Sequence, residues 1–116
     1  MMHKSLKNIL KHKNCLLYLS SLKNKKSREG VLHNCQKSVI EAICDSIFNI
    51  LNGNIEIDEN IKRKLYLAKA TLRKLIQVSS IDTKKKIIAQ RGGFLQLLIP
   101  TVIEAITLLI SSSLKK

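Results

Sequence analysis

The chain has 116 residues, 45% of them hydrophobic, and a formal net charge of +13. That length holds one domain with a modest core, and that apolar content excludes a chain disordered throughout. Three cysteines, an odd and sparse set, exclude a secreted disulfide framework and make a reduced, intracellular setting the expectation.

Charge of this size repels itself and calls for counterions or an anionic partner. Nucleic acid, anionic lipid and acidic protein are the candidate classes. The charge is also unevenly placed. Residues 1–26 hold seven lysines and no acid, and residues 27–60 hold six acids against Arg28 and Lys37. Residues 61–93 hold ten Lys or Arg against Asp82 alone, and residues 94–116 are almost uncharged until Lys115 and Lys116. The order is basic, acidic, basic, apolar, and it suggests three parts: a basic segment 1–27, a helical basic body 28–93 and an apolar helix 94–116.

The start alternates lysine with apolar residues and has no continuous apolar run, so it reads as a basic tail rather than a secretory signal. His3 and His12 are expected to stay solvated there. Residues 5–22 carry Leu6, Ile9, Leu10, Leu16, Leu17 and Leu19 in an irregular helical pattern. Residues 24–30 form a charged connector. Residues 28–51 read as one helix, because Val31, Cys35, Val39, Ile43, Ile47 and Ile50 recur at steps of four and three. On that helix Cys35 and Cys44, nine residues apart, fall on opposite sides and serve as small apolar groups. Lys37, Glu41, Asp45 and Asn49 make its polar side. Asn52, Gly53 and Asn54 stop it, since Gly and Asn accept the left-handed cap conformation.

Asp58 is a candidate N-cap for a helix over residues 58–78. Its stripe is Ile61, Leu65, Ala68, Leu72 and Leu75. The short gap before it predicts an antiparallel hairpin with the preceding helix. Ser79, Ser80 and Asp82 mark the next break, and a short basic helix follows over 83–90. Gly92 and Gly93 end it, as a helix cap or as a hinge; the cap is the plainer reading. Pro100 stands near the start of a last, apolar helix, where proline is tolerated.

Lys62, Tyr66, Lys69 and Arg73 step by four, three and four, which sets them on one ridge opposite the apolar stripe. Arg63 and Lys74 flank it, and Lys84, Lys85, Lys86 and Arg91 extend it. A ridge of this kind tracks phosphates and releases counterions, whereas scarce aromatics argue against base stacking. The apolar end offers Leu95, Leu98, Val102, Ile103, Ile106, Leu109 and Ile110. They suit the core, a partner or an anionic membrane surface. Against a membrane span stand Pro100 and Glu104, the latter costing about 2.5–3.5 kcal/mol at a bilayer centre. No pairing of His, Cys and carboxylates has metal-site or catalytic spacing, and no glycine loop cradles phosphate. The chain reads as a non-enzyme with no cofactor and no metal.

Four pieces carry a resemblance to a known family. They are Val39-Ile40-Glu41-Ala42-Ile43-Cys44-Asp45, Asn49-Ile50-Leu51-Asn52-Gly53-Asn54, Leu72-Arg73-Lys74-Leu75, and Lys84-Lys85-Lys86-Ile87-Ile88-Ala89-Gln90-Arg91-Gly92-Gly93-Phe94-Leu95. Together they span about half the chain. This stretch resembles the small basic proteins of Polinton (Maverick) elements and adenovirus-like adintoviruses. The resemblance implies a minor virion or core component that condenses double-stranded DNA without sequence preference, with the host nucleus and the virion as its places. It also implies capsid proteins as partners and an adenovirus-type cysteine protease acting at Gln90, Arg91, Gly92, Gly93 and Phe94, with the cut after Gly93.

The expected fold is all-α: a small helical bundle with a helical-hairpin core, a basic N-terminal helix and an apolar C-terminal helix. The expected function is sequence-independent binding of double-stranded DNA. Membrane activity through the apolar helix and a helical assembly module that self-associates are the alternatives.

Overall fold

Helix starts in this chain are written by short polar side chains that accept backbone N–H bonds, and the structure uses them at three places. The computed structural model describes the backbone of residues 2–53 and 55–114 and the side chains of residues 6–53 and 55–108. Helix α1, Met2–Lys11, leads almost directly into α2, Lys13–Ser21. The two are one ladder bent at His12, whose N–H is shared between the Asn8 and Ile9 carbonyls at 3.3 and 3.2 Å. Asn24 caps α3, Lys25–His33, by accepting the Ser27 N–H at 2.8 Å. Helix α4, Lys37–Leu51, follows a three-residue break. Asp58 caps α5, Glu59–Tyr66, accepting from Asn60 N–H at 2.7 Å. After Leu67 and Ala68 comes α6, Lys69–Gln77. Ser80 caps α7, Ile81–Arg91, accepting from Thr83 N–H at 3.3 Å. A 3₁₀ turn, Gly92–Phe94, joins it to α8, Leu95–Leu114.

The protein is all-α, a small helical bundle, and no strand occurs among the described residues. Its expected hairpin contact is present, α4 against α6, but broader contacts run α3 along α7, α1 along α4 and α2 along α8. Helix α4 is central and touches α1, α2, α6, α7 and α8. Its Ile40, Ala42, Ile43 and Ile47 are fully buried.

Several expectations need correction. The start, read as a basic tail, contributes to the core through Ile9, and the helical stretch after it adds Leu16 and Leu19; all three are wholly buried. His12 is half-buried at the α1–α2 bend, and its Nε2 has no hydrogen-bond partner among the described residues. Residues 28–51 form two helices, broken at Asn34–Gln36, where Gln36 is extended at φ −67° and ψ 152°. The break lets α3 lie along α7 while α4 lies along α1. Cys35 therefore sits between helices rather than on one with Cys44. Asn49, placed on the polar side of its helix, is buried and donates to the Asp45 carbonyl at 2.7 Å. Residues 58–78 are likewise two helices. Leu67 and Ala68 make tighter bonds, to the Lys64 and Leu65 carbonyls at 3.2 and 3.0 Å, and shift the axis there. The apolar stripe survives the shift: Leu65, Leu72 and Leu75 are buried, and Ile61 and Ala68 half-buried. Gly53 carries the expected left-handed cap at φ 70°.

The C-terminal helix supplies much of the core. Leu95, Leu98, Ile99, Val102 and Ile106 are wholly buried and Ile103 nearly so. Proline at position 100 lies inside α8 and faces solvent. The stripe and the exposed face of α8 predict opposite costs. Leu98→Ala should lower unfolding free energy by about 2–5 kcal/mol in urea titration. Leu108→Ala, at a residue 64% exposed, should stay within about 0.5 kcal/mol. Equal effects at the two sites would mean that α8 does not pack as described.

Candidate nucleic-acid interface

Residues 62–74 hold Lys62, Arg63, Lys64, Lys69, Arg73 and Lys74 and no acid. Five of the six are exposed, on the outer sides of α5 and α6. Lys69 is half-buried because its ammonium lies 4.6 Å from the centre of the exposed Tyr66 ring. That cation–π contact keeps the charge at the surface while holding the side chain in place. Beside them, at the α5–α6 break, Leu67 is 90% exposed.

The α7 cations divide. Lys86 and Arg91 are exposed. Lys84 turns inward: its Nζ donates to the Leu75 carbonyl at 2.8 Å and to Cys44 Sγ at 3.5 Å, tying α7 to α6 and α4. Lys85 donates to the Cys35 carbonyl at 3.0 Å and so ties α7 to the α3–α4 break. Of the nine cations expected on the ridge, these two are held by the chain's own backbone. Neither meets a carboxylate. No Lys or Arg forms an ion pair among the described residues.

The sequence pattern missed cations that the fold gathers from distant segments. Lys7 and Lys11 of α1, Lys37 of α4 and Lys84 of α7 line one cleft of about 850 Å³ with Glu41 and Asp45. Exposed Lys13, Lys23, Lys25 and Lys26 add further positive charge. Cationic surface is thus distributed over most helices, with residues 62–74 its densest run. In the cleft, burial raises the Asp45 carboxyl above its ordinary range, and Glu41 adds to the rise, while the Asn8 side chain opposes it. Burial likewise raises the Cys44 thiol, with Lys84 acting in the opposite direction.

The Gly-Gly junction is built into the fold. Gly92 and Phe94 are buried, while Gln90, Arg91 and Gly93 are exposed. Arg28, only 4% exposed, lies across this junction. Its Nε donates to the Ala89 carbonyl at 3.2 Å and its Nη1 to the Leu22 carbonyl at 3.4 Å. One guanidinium therefore joins the end of α2, helix α3 and the end of α7. Gly92 is required by this contact: a Cβ there would stand 2.9 Å from Arg28 Nε and 3.0 Å from Cδ. Gly92 itself is helical, at φ −78° and ψ 10°, so the junction is neither a left-handed cap nor an extended strand ready for a protease cleft. The apolar residues expected to contact a membrane or partner, Leu95, Leu98, Val102, Ile103 and Ile106, are spent in the core. Leu109 and Ile110 lie outside the described side chains. The helical stretch Ile81–Leu108 is long and apolar enough to cross a membrane, a property core helices share, and 44% of its apolar window is buried. No group of three or more His, Cys, Asp or Glu able to hold a metal occurs among the described residues.

Two predictions follow from this geometry. Gly92→Ala should cost about 1–3 kcal/mol in urea titration, because Arg28 must leave its carbonyl partners. Gly93→Ala, with open space around its Cβ, should be neutral or stabilising by up to about 1 kcal/mol. The second concerns Asp45. A carboxyl raised by folding contributes stability that is complete below its unfolded value and lost as pH rises through its folded value. Asp45→Asn should therefore raise the thermal midpoint at neutral pH, and the gain should vanish in strong acid. Comparison of this chain with protein-family models, with curated proteins and with solved structures finds no match.

Proposed function

We propose that this protein is a non-enzymatic structural protein that binds double-stranded DNA through its phosphates, without reading sequence. The observation that carries the proposal is a net charge of +13 in which no Lys or Arg of the described residues is paired with a carboxylate. Charge left free in a folded chain is available to displace the counterions condensed on a duplex. The run at residues 62–74 supplies the densest contacts: Lys62, Arg63, Lys64, Arg73 and Lys74, with Lys69 held on Tyr66. Lys86 and Arg91 extend it. Lys84 and Lys85, bonded to carbonyls, act in this reading as braces rather than phosphate ligands. Few aromatics and cations spread over several helices both favour packaging over recognition of a site.

The role that fits is the minor virion or core component implied by the resemblance to Polinton and adintovirus proteins, acting beside capsid proteins in the virion and in the host nucleus during assembly. Cleavage after Gly93 by an adenovirus-type protease would require the Arg28–Gly92 contact to open first. The apolar stretch Ile81–Leu108 supports a second reading, insertion into an anionic membrane, which would require α8 to leave the core. Exposed Tyr18, Phe48 and Leu108 leave room for contact with another copy or a capsid protein.

Duplex binding tests the proposal. The dissociation constant, followed by fluorescence anisotropy over a range of salt, should weaken with a log–log slope of about −5 if six phosphates are neutralised. The charge-reversed variant Lys62→Glu, Arg63→Glu, Arg73→Glu, Lys74→Glu should lose about three to four units of that slope. Binding that ignores salt, or a variant that binds like the parent, would remove the reading. Leakage from anionic vesicles without duplex binding would favour the membrane reading.

A further inference from the structure

We propose that Leu67 is a wedge that enters between base steps of a bound duplex and kinks it, so that the protein bends the DNA it coats. The proposal rests on the duplex-binding reading and adds a deformation that phosphate contacts alone do not require. Leu67 is 90% exposed, the most exposed large apolar side chain among the described residues. Its place is fixed by the chain on either side. Leu67 N–H donates to the Lys64 carbonyl at 3.2 Å and Ala68 N–H to the Leu65 carbonyl at 3.0 Å, which closes α5. The Ala68 carbonyl accepts Leu72 N–H at 2.9 Å, which opens α6. Leu65 and Leu72 are buried and hold both helices to the core. The leucine therefore projects from a hydrogen-bonded corner between two anchored helices, and little ordering is left to be done on binding.

Cations surround this corner. Lys62, Arg63 and Lys64 precede it, Lys69, Arg73 and Lys74 follow it, and the run contains no acid. The Lys69 ammonium lies 4.6 Å from the centre of the Tyr66 ring, which keeps that charge beside the leucine. An apolar tip with positive charge on both sides suits a kinked duplex. The wedge offsets the stacking it displaces, and the flanking cations hold the phosphates drawn toward the bend. Other exposed apolar residues lack this setting. The nearest charge in sequence is Asp45 for Phe48 and Glu104 for Leu108.

A duplex fits this corner better than a bilayer. One leucine buries far less apolar surface than the paired signals that stable membrane anchoring takes. A single apolar side chain is enough to open a base step.

The test uses the full chain and a short duplex with donor and acceptor dyes at its two ends. Binding is followed by anisotropy over a range of salt, and bending by energy transfer. The parent should raise energy transfer, by a bend of about 20–90°. It should also bind a duplex with an unpaired bulge at its centre, which is already easy to kink, about tenfold or more tighter than the perfect duplex. Leu67→Ala removes an exposed side chain and leaves the fold intact. Its salt slope should match the parent's, while the gain in energy transfer and the preference for the bulge should both disappear. Leu108→Ala, outside the cationic run, should bend DNA as the parent does. A parent that binds with the expected salt slope but leaves the ends apart would overturn the wedge and leave phosphate binding standing. So would a Leu67→Ala variant that still bends, or a bend lost equally in Leu108→Ala. Absence of any duplex binding would remove both readings together. Binding to phosphatidylserine vesicles that Leu67→Ala abolishes, without bending of DNA, would assign the corner to a membrane and overturn the proposal.

Discussion

Unneutralised positive charge is the constraint under which every other part of this fold operates. A body with a radius of gyration of 13.5 Å carries 21 Lys and Arg against 8 acids, and no described cation is paired. Electrostatics therefore works against the compact state. The opposing term is burial of Ile, Leu and Val from all eight α-helices, at about 25 cal/mol for each Å² of apolar surface removed from water. Helices this short are marginal alone and rely on such packing. The apolar α8 is for that reason a component of the scaffold, in contact with α2, α4 and α5.

Cations are also used to hold the scaffold together, by bonds to carbonyls. Arg28 joins α2, α3 and α7, while Lys84 and Lys85 bind α7 to α6 and to the α3–α4 break. A carbonyl partner satisfies donors without cancelling their charge. The protein thereby gains cross-links between short helices and keeps its positive field. The same contact bears on Gly92: a Cβ there would crowd Arg28 Nε and Cδ, and the side chain would have to shift. It also joins two features read separately in the sequence, an acidic-region arginine and a Gly-Gly pair 64 residues away.

Much of the architecture was legible because local chemistry declares it. The caps at Asp58 and Ser80, the Gly53 stop and the stripe through Leu65, Leu72 and Leu75 follow from turn chemistry and period. Two kinds of feature were hidden. Helix breaks at Asn34–Gln36 and Leu67–Ala68 leave the steps of three and four unbroken, so periodicity alone reads straight through them. Long-range pairing was the other. Leu16 and Leu19 have no visible packing partner until α2 is seen along α8, and Lys84 looks like a surface lysine until Leu75 and Cys44 are beneath it. Of the ridge read at residues 62–74, Lys62, Tyr66 and Arg73 are exposed and Lys69 is half-buried, whereas the cleft that gathers Lys7, Lys11, Lys37 and Lys84 needed three helices to assemble.

The central claim, that this charge is free rather than internally balanced, has a direct measurement. Thermal unfolding of the full chain in the absence of any polyanion, followed by circular dichroism across a series of sodium chloride concentrations, reports the sign of the net electrostatic term. If the cations are unpaired, screening relieves self-repulsion and the midpoint rises with salt. A midpoint that falls as salt is added would mean that attractive ion pairs hold the fold together, and the account of a free cationic surface would be contradicted.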